Sequence, residues 1–411
     1  MRTLLAASVG LAVLLASASQ AQTLYLFDPA LAVTEHSGPA VGPCGYPNGP
    51  VNSFFPVGPP PCLAPVFGPF LPPAGDVAID PTTDLVYVTN GAMILACTAA
   101  GATIGWAIPP VPGVTGLAVM APGFLWLTDG FVYGAVPLAA IACPGGPAPF
   151  AIGPFPVPIG PIFAGPIGDL DWEGATGSLI GCDGFGIVGS FLPGPLPAIG
   201  PYGFFPMPPV PCPLGPGLVG IAFDKALPGS GTFFVTDGVF IQRALPGGLP
   251  APPTFYFPGL CIPIAAALPI AGLAYAGRQI TYGAGADNTA LPAPVIGSIG
   301  QSYLGNPAFT VTLAGSIPGS NALLRTAFAP ACPAPLVRGV PFYLAVPRFL
   351  GASGPRFLTT NALVGAGGGA AYVAAIPPTL APGVTFYLQW MILTPVSFQV
   401  TAGAAFTTIL P

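Results

Sequence analysis

Asp76-Val-Ala-Ile-Asp80, followed by Leu85-Val-Tyr-Val-Thr-Asn-Gly91, reads as two short apolar strands, the second ending in a turn dipeptide. The phrase recurs along the chain. Gly116-Leu-Ala-Val-Met120 leads to Leu125-Trp-Leu-Thr-Asp-Gly130, and Asp169-Leu-Asp-Trp-Glu173 leads to Leu179-Ile-Gly-Cys-Asp-Gly184. Gly220-Ile-Ala-Phe-Asp224 leads to Phe233-Phe-Val-Thr-Asp-Gly238, and a worn fifth copy joins Gly272-Leu-Ala-Tyr-Ala276 to Ile280-Thr-Tyr-Gly283. Units of short strands about 40–55 residues apart are the signature of a β-propeller. The expected fold is therefore all-β. Residues 22–285 form a five-bladed propeller, with six blades as the alternative. Leu24-Tyr-Leu-Phe-Asp28 resembles the second strand of a unit but lacks a first strand before it. It is predicted to complete the blade begun at Gly272, which removes a free sheet edge.

Composition supports strands and turns. The chain of 411 residues has 58 glycines and 60 prolines, enough to exclude long helices. It is also 53% hydrophobic with only 5% charged residues, the opposite of a disordered chain. Its charges are sorted along the sequence. Between Gln22 and Asp224 there are eleven acids and no Lys or Arg; from Lys225 onward there are seven basic residues and two acids. The first half is thus about −11 and the second about +5. That balance argues against nucleic acid as a partner of the acidic half.

The first 21 residues read as a signal peptide. Arg2 precedes the apolar run Leu4 to Leu15, and Ser19-Gln-Ala21 is a small-x-small cleavage site. The expectation is a secreted, periplasmic or cell-envelope protein with no transmembrane anchor. Eight cysteines in an exported chain favour disulfides. Cys44 and Cys62, flanking a Pro/Gly-rich excursion, form the best candidate pair.

After Asp287 the pattern changes. Ala308–Leu313, Ala322–Phe328, Pro341–Val346, Ala371–Ile376, Thr385–Met391 and Val396–Thr401 read as strands separated by turn signals. About seven strands over residues 290–411 predict a β-sandwich. Gly305-Asn-Pro-Ala-Phe-Thr-Val-Thr-Leu313, Ala322-Leu-Leu324 and Pro382-Gly-Val-Thr-Phe-Tyr-Leu-Gln-Trp390 resemble a C-terminal module of secreted planctomycete-type proteins. In those proteins a propeller-like repeat region precedes the module. The resemblance implies architecture and location, and it brings no catalytic residues.

Asn90, Asp129, Asp183 and Asp237 each precede a glycine. They are read as two-residue hairpin turns in which both central residues take positive φ. Asp169, Asp171 and Glu173 alternate along one strand face and are the best candidate ligands for a hard cation such as Ca2+. Asp80 and Asp224 end the first strand of their units, as Glu173 does, so they could join a cation site in the channel. The competing reading is a strand-end turn, as in Asp80-Pro81. His36 is the sole histidine, no Gly-x-Ser-x-Gly elbow exists, and no catalytic residue is assigned. The function expected is a non-catalytic interaction or structural protein that associates with itself or with an envelope component. The alternatives are a propeller binding a glycan or other ligand with Ca2+ assistance, and a propeller-based hydrolase or lyase.

Overall fold

The computed structural model describes residues 23–27, 33–36, 53–54, 75–98, 101–120, 123–207, 214, 217–225, 229–246, 262–264, 270–276, 280–287, 292–331, 333–344, 358–394 and 397–409. The segment read as a signal peptide and the candidate pair Cys44 and Cys62 lie outside these residues. Apart from one short 3-10 turn at Leu138–Ala140, the regular secondary structure of the described residues is all β-strand, with no α-helix.

The repeats fold as antiparallel sheets in chain order. Sheet 1 runs from Asp76–Ile79 through Val86–Thr89 and Ile94–Cys97 to Thr103–Ile108, with Gly146–Pro147 added in parallel at its edge. Sheet 2 comprises Gly116–Met120, Phe124–Thr128, Val132–Pro137 and Ile152–Pro156. Sheet 3 comprises Ile167–Glu173, Ser178–Asp183, Ile187–Leu192 and Ala198–Pro206, and sheet 4 Gly220–Phe223, Phe233–Thr236, Phe240–Ala244 and Ile262–Pro263.

Sheet 5 draws on the two ends of the repeat region. Its first strand is Gly272–Ala276, and its second is Thr23–Phe27, paired in the register Leu24↔Tyr275 and Leu26↔Leu273. The pairing expected between the N-terminal strand and the unit begun at Gly272 is present. The segment read as the second strand of that unit goes elsewhere. Ile280–Tyr282 pairs with Gly403–Thr407, far along the chain. The N-terminal strand occupies the position beside Gly272–Ala276, so Ile280 and its neighbours join the C-terminal sheet.

The first strands of successive sheets contact one another in order, and Gly272–Ala276 in turn contacts Asp76–Ile79. The sheets therefore meet around a common centre. Burial on both faces explains the unbroken apolar runs. In the second strand of sheet 1, Val86 and Val88 face sheet 5, whereas Tyr87 faces sheet 2. In sheet 2, Leu125 and Leu127 face sheet 1 while Trp126 packs against sheet 3. Period-two alternation sends alternate side chains to different inter-sheet cores.

The C-terminal residues build two further sheets. One contains Thr385–Leu393 at its centre, flanked by Asn321–Ala327, Phe398–Val400 and Gly403–Thr407. The other is Val295–Ile299, Thr310–Ala314 and Ala370–Val373. They enclose one core containing Phe309, Val311, Leu324, Trp390 and Phe406, and the Trp390 indole donates to the Thr312 carbonyl at 3.1 Å. Of the predicted strands, Pro341–Val346 departs from expectation. Among its described residues only Pro341 lies in a strand, Val340–Pro341, in a hairpin with Leu336–Val337. The C-terminal region packs against sheets 4 and 5 through Tyr275, Tyr282, Tyr343, Tyr387 and Ile409. Gln301 reaches from it to the Asp80 carbonyl and the Asp84 carboxylate.

Candidate functional site

The first strand of each repeat sheet is an edge strand whose outward N–H groups face the neighbouring sheet. Buried N–H groups need acceptors. Acidic side chains supply them here. Asp169 Oδ2 accepts from Ile221 N at 2.8 Å, Asp171 Oδ2 from Phe223 N at 2.8 Å and Glu173 Oε1 from Gly229 N at 2.7 Å. The alternation read from the sequence is real, and the three carboxylates form a ladder from sheet 3 to sheet 4. Each also holds a local donor, from Leu170 N, Trp172 N and Thr176 Oγ1 respectively. Glu173 additionally accepts from Tyr202, whose phenol is pushed above its ordinary range by burial and then by this carboxylate. Lys225 lies 3.5 Å from Asp171.

Asp76 has the same role between sheets 1 and 2. Its Oδ2 accepts from Leu117 N at 2.5 Å, tying the two sheets together. Its Oδ1 is buried and meets no N–H donor. The carboxyl group of Asp169 is a hydrogen-bonding neighbour of Asp76. Two carboxyl groups can share a hydrogen bond only if one keeps its proton. Burial pushes the Asp76 carboxyl up to about 8, and Asp169 is also raised well above the carboxylate range, by burial first and then by the Asp76 charge. Both residues are fully buried.

The sequence reading did not single out Asp76. Its signal was the first position of the phrase, which is Asp in units 1 and 3 and Gly in units 2, 4 and 5. The structure explains the alternation. A Cβ on Gly272 would collide with the Asp76 carboxylate and stand 2.7 Å from Asp76 Cα. A Cβ on Gly116 would stand 2.9 Å from Asp169 Cα. Glycine at one strand start leaves the room that the neighbouring strand and its acid occupy.

The other acids have separate partners. Asp80 accepts from Thr82 N, Thr82 Oγ1 and Thr83 Oγ1 at 2.7–2.8 Å, the strand-end turn. Asp224 forms an ion pair with Arg243, from Nε at 3.0 Å and Nη2 at 2.7 Å, and both residues are buried. Asp80, Glu173 and Asp224 thus each have separate partners: a local turn, the inter-sheet ladder and a buried arginine. Among the described residues, no group of three or more His, Cys, Asp and Glu is placed to hold a metal ion. A cation at Asp169, Asp171 and Glu173 would have to displace the inter-sheet N–H donors.

The turn acids do serve as turns, but by a different geometry from the one expected. Thr89 pairs with Ile94, so Asn90–Met93 is a four-residue loop. Positive φ falls on Gly91, Gly130 and Gly238 at 86–94°, and not on Asn90, Asp129 or Asp237. The Asn or Asp side chain accepts two N–H groups ahead of it, as Asp129 Oδ1 does from Phe131 N and Val132 N. The preceding Thr locks the other side, with Thr128 Oγ1 accepting from Gly130 N and donating to the Val132 carbonyl. Side-chain capping replaces the left-handed residue that a two-residue turn requires. The next side chain along the loop is pushed outward. Phe131, Phe185 and Val239 occupy this place, and all three are exposed.

Between the turns of sheets 2 and 3 lies a cavity of about 380 Å³, lined by Phe131, Phe185, Ile167, Leu218, Pro166 and Asp129 among others. Sequence reasoning placed the turns and missed this pocket, because it needs two turns and the start of sheet 4 side by side. Cys97 and Cys182 are buried free thiols, and Cys143 is disulfide-bonded to a partner outside the described residues. No helix of the described residues is long and apolar enough to cross a membrane.

No family model and no curated protein matches the chain. Solved structures similar to it include U3-55K, at 12% identity and a TM-score of 0.30, covering 54% of this chain and 61% of that one. Hsv2 of Kluyvelomyces marxianus is 9% identical over 55% of this chain and 76% of its own, with a TM-score of 0.29. The WD40 domain of Toxoplasma gondii coronin is 7% identical over 82% of this chain and 81% of its own, with a TM-score of 0.28. Scores this low carry no argument, and the architecture rests on the strand pairing described above.

Proposed function

We propose that the chain is an exported, non-catalytic interaction or structural protein. In this reading it is a five-bladed propeller, closed by its own N-terminal strands and joined to a C-terminal β-sandwich. The ring of contacting first strands and the two-sheet C-terminal core support that architecture. One observation carries the functional reading. The acids at the ring centre are buried and bonded to backbone N–H groups, while the turn face presents Phe131 and Phe185, 60% and 65% exposed. Reactive groups are thus spent on holding sheets together, and exposed apolar groups mark a contact surface. The partner is a second copy or an envelope component. The acidic first half and the basic second half give copies an electrostatic reason to associate. Sedimentation velocity of the full chain at low and high salt tests this reading. Salt-sensitive association is expected, and a strict monomer that ignores salt would refute it.

A further inference from the structure

We infer that the cavity between the turns of sheets 2 and 3 receives the Leu336–Pro341 hairpin of a second copy of this chain. The inference rests on the self-association proposed above and assigns its contact. The cavity falls within the roughly 300–1,000 Å³ range of binding pockets. Its walls are mainly aliphatic and aromatic, with Phe131 and Phe185 standing at the rim. The Phe185 ring rests over Gly165, where a Cβ would collide with it, so the rim is built around that ring. Few polar groups face inward. The Thr115 hydroxyl is already committed to the Thr128 and Ile167 carbonyls. Such a lining suits apolar side chains and offers little to sugar hydroxyls.

Charge selects the occupant. Asp129 stands in the lining, and its Oδ1 alone is used by the turn amides. Because residues 22–224 contain no Lys or Arg, no cation of that stretch competes for the carboxylate. The complementary feature is an exposed apolar group beside a basic one at a turn, and this chain carries it in a hairpin whose returning strand is anchored by the buried Val340. Leu336 and Val337 pair with Pro341 and Val340 in a tight hairpin. Leu336 is 71% exposed, and Arg338 sits at the turn with φ 52°. The Arg338 guanidinium is held 5.7 Å over the Phe398 ring, which limits where its charge can go. A hairpin tip enters a cavity more readily than a sheet face does. Leu336 fills the apolar part while Arg338 meets Asp129. Pocket and hairpin are different surfaces of the same chain, so the contact is heterologous and repeats from copy to copy.

The test uses full-length chains with Phe185→Ser, which spoils the pocket, and Leu336→Ser, which spoils the hairpin. Both side chains are exposed, so the fold should tolerate each change. Sedimentation velocity should show an open, salt-sensitive series for the unaltered chain and a monomer for each variant alone. An equimolar mixture of the two variants should give a dimer and stop there, because it retains one intact pocket and one intact hairpin. That dimer also reports that both variants are folded. Variants that associate as the unaltered chain does, or a mixture that stays monomeric, overturn the pocket–hairpin contact while leaving self-association standing. An unaltered chain that never associates overturns both.

Discussion

The repeat region and the C-terminal region both bury polar side chains, but they use different chemistry. At the ring centre the buried groups are acids: Asp76, Asp169 and Asp171 accept N–H bonds from the first strand of the next sheet, and Glu173 accepts one from the loop that follows it, at Gly229. In the C-terminal region the matching role falls to an amide. Gln389 Oε1 accepts from Tyr343 N at 2.9 Å, while its Nε2 donates to the Pro341 carbonyl at 3.2 Å and the Thr401 carbonyl at 2.9 Å. A carboxylate only accepts, so it suits a row of edge N–H groups. An amide accepts and donates, so it suits a gap lined by both N–H and C=O. The ring acids also carry charge into a buried space, and one proton must stay there. The ring should therefore respond to pH and to crowding at its centre, and the amide network should not.

The largest effect is expected where the two acids meet the glycine starts. Gly272→Ala places a methyl group against Asp76 in the strand that closes the ring. The change should cost about 3 kcal/mol and lower the melting temperature by several degrees. Gly367→Ala is the matching change in the C-terminal region, where a Cβ meets nothing within 4 Å. It should alter stability by less than about 1 kcal/mol. Equal effects of the two would break the contrast between a crowded centre and a tolerant loop.

Gln389→Leu should cost about 2 kcal/mol, because it strands the Tyr343 N–H and two carbonyls in a buried site. Denaturant unfolding at several pH values should find that cost unchanged with pH. A loss that varies with pH would mean that the amide network couples to a titrating group.

The effect spread over the widest range of conditions is the slope of stability with pH. A carboxyl raised above its unfolded value keeps its proton when folded and loses it on unfolding. The folded chain then binds more protons, so stability falls as pH rises. For Asp76 that fall begins near the unfolded value of about 4 and ends as pH passes the folded value of about 8. For one proton the slope is at most about 1.4 kcal/mol per pH unit. The charged groups around the pair are Asp171 with its Lys225 partner, Asp183 beyond Cys182, and Asp169 itself. Asp76→Asn should reduce the slope while keeping the Leu117 N–H acceptor, with Asp169 retaining the share that its own burial supplies. A slope as steep as that of the unaltered chain would place the Asp76 proton elsewhere.

Much of the ring was legible because each unit repeats its own punctuation. Strand, acid-or-glycine start and Thr-Asn/Asp-Gly turn recur at a spacing that only stacked sheets satisfy. The N-terminal strand could be matched to Gly272 because it lacked a first strand of its own. The destination of Ile280–Tyr282 was not legible, since an apolar tripeptide carries no record of which of two available edges it will join. Nor were Leu358–Leu363 and Gly403–Thr407 picked out as strands; the latter, Gly403-Ala-Ala-Phe-Thr407, is short, with only one large apolar side chain.

The sequence by itself determined that the chain would be all-β, that its acids would gather before Lys225, and that its turns would follow each second strand. These are local properties, written in period, composition and turn chemistry. The tertiary structure alone decided what the acids do. Asp169, Asp171 and Glu173 share a strand face, which suits a cation as well as a row of amides. The choice depends on what the next sheet presents, and sheet 4 presents backbone N–H groups. The Asp76–Asp169 pair is likewise invisible in one dimension. It arises because ring closure brings strand starts 93 residues apart into a single buried centre, where two carboxyl groups can meet only by sharing a proton.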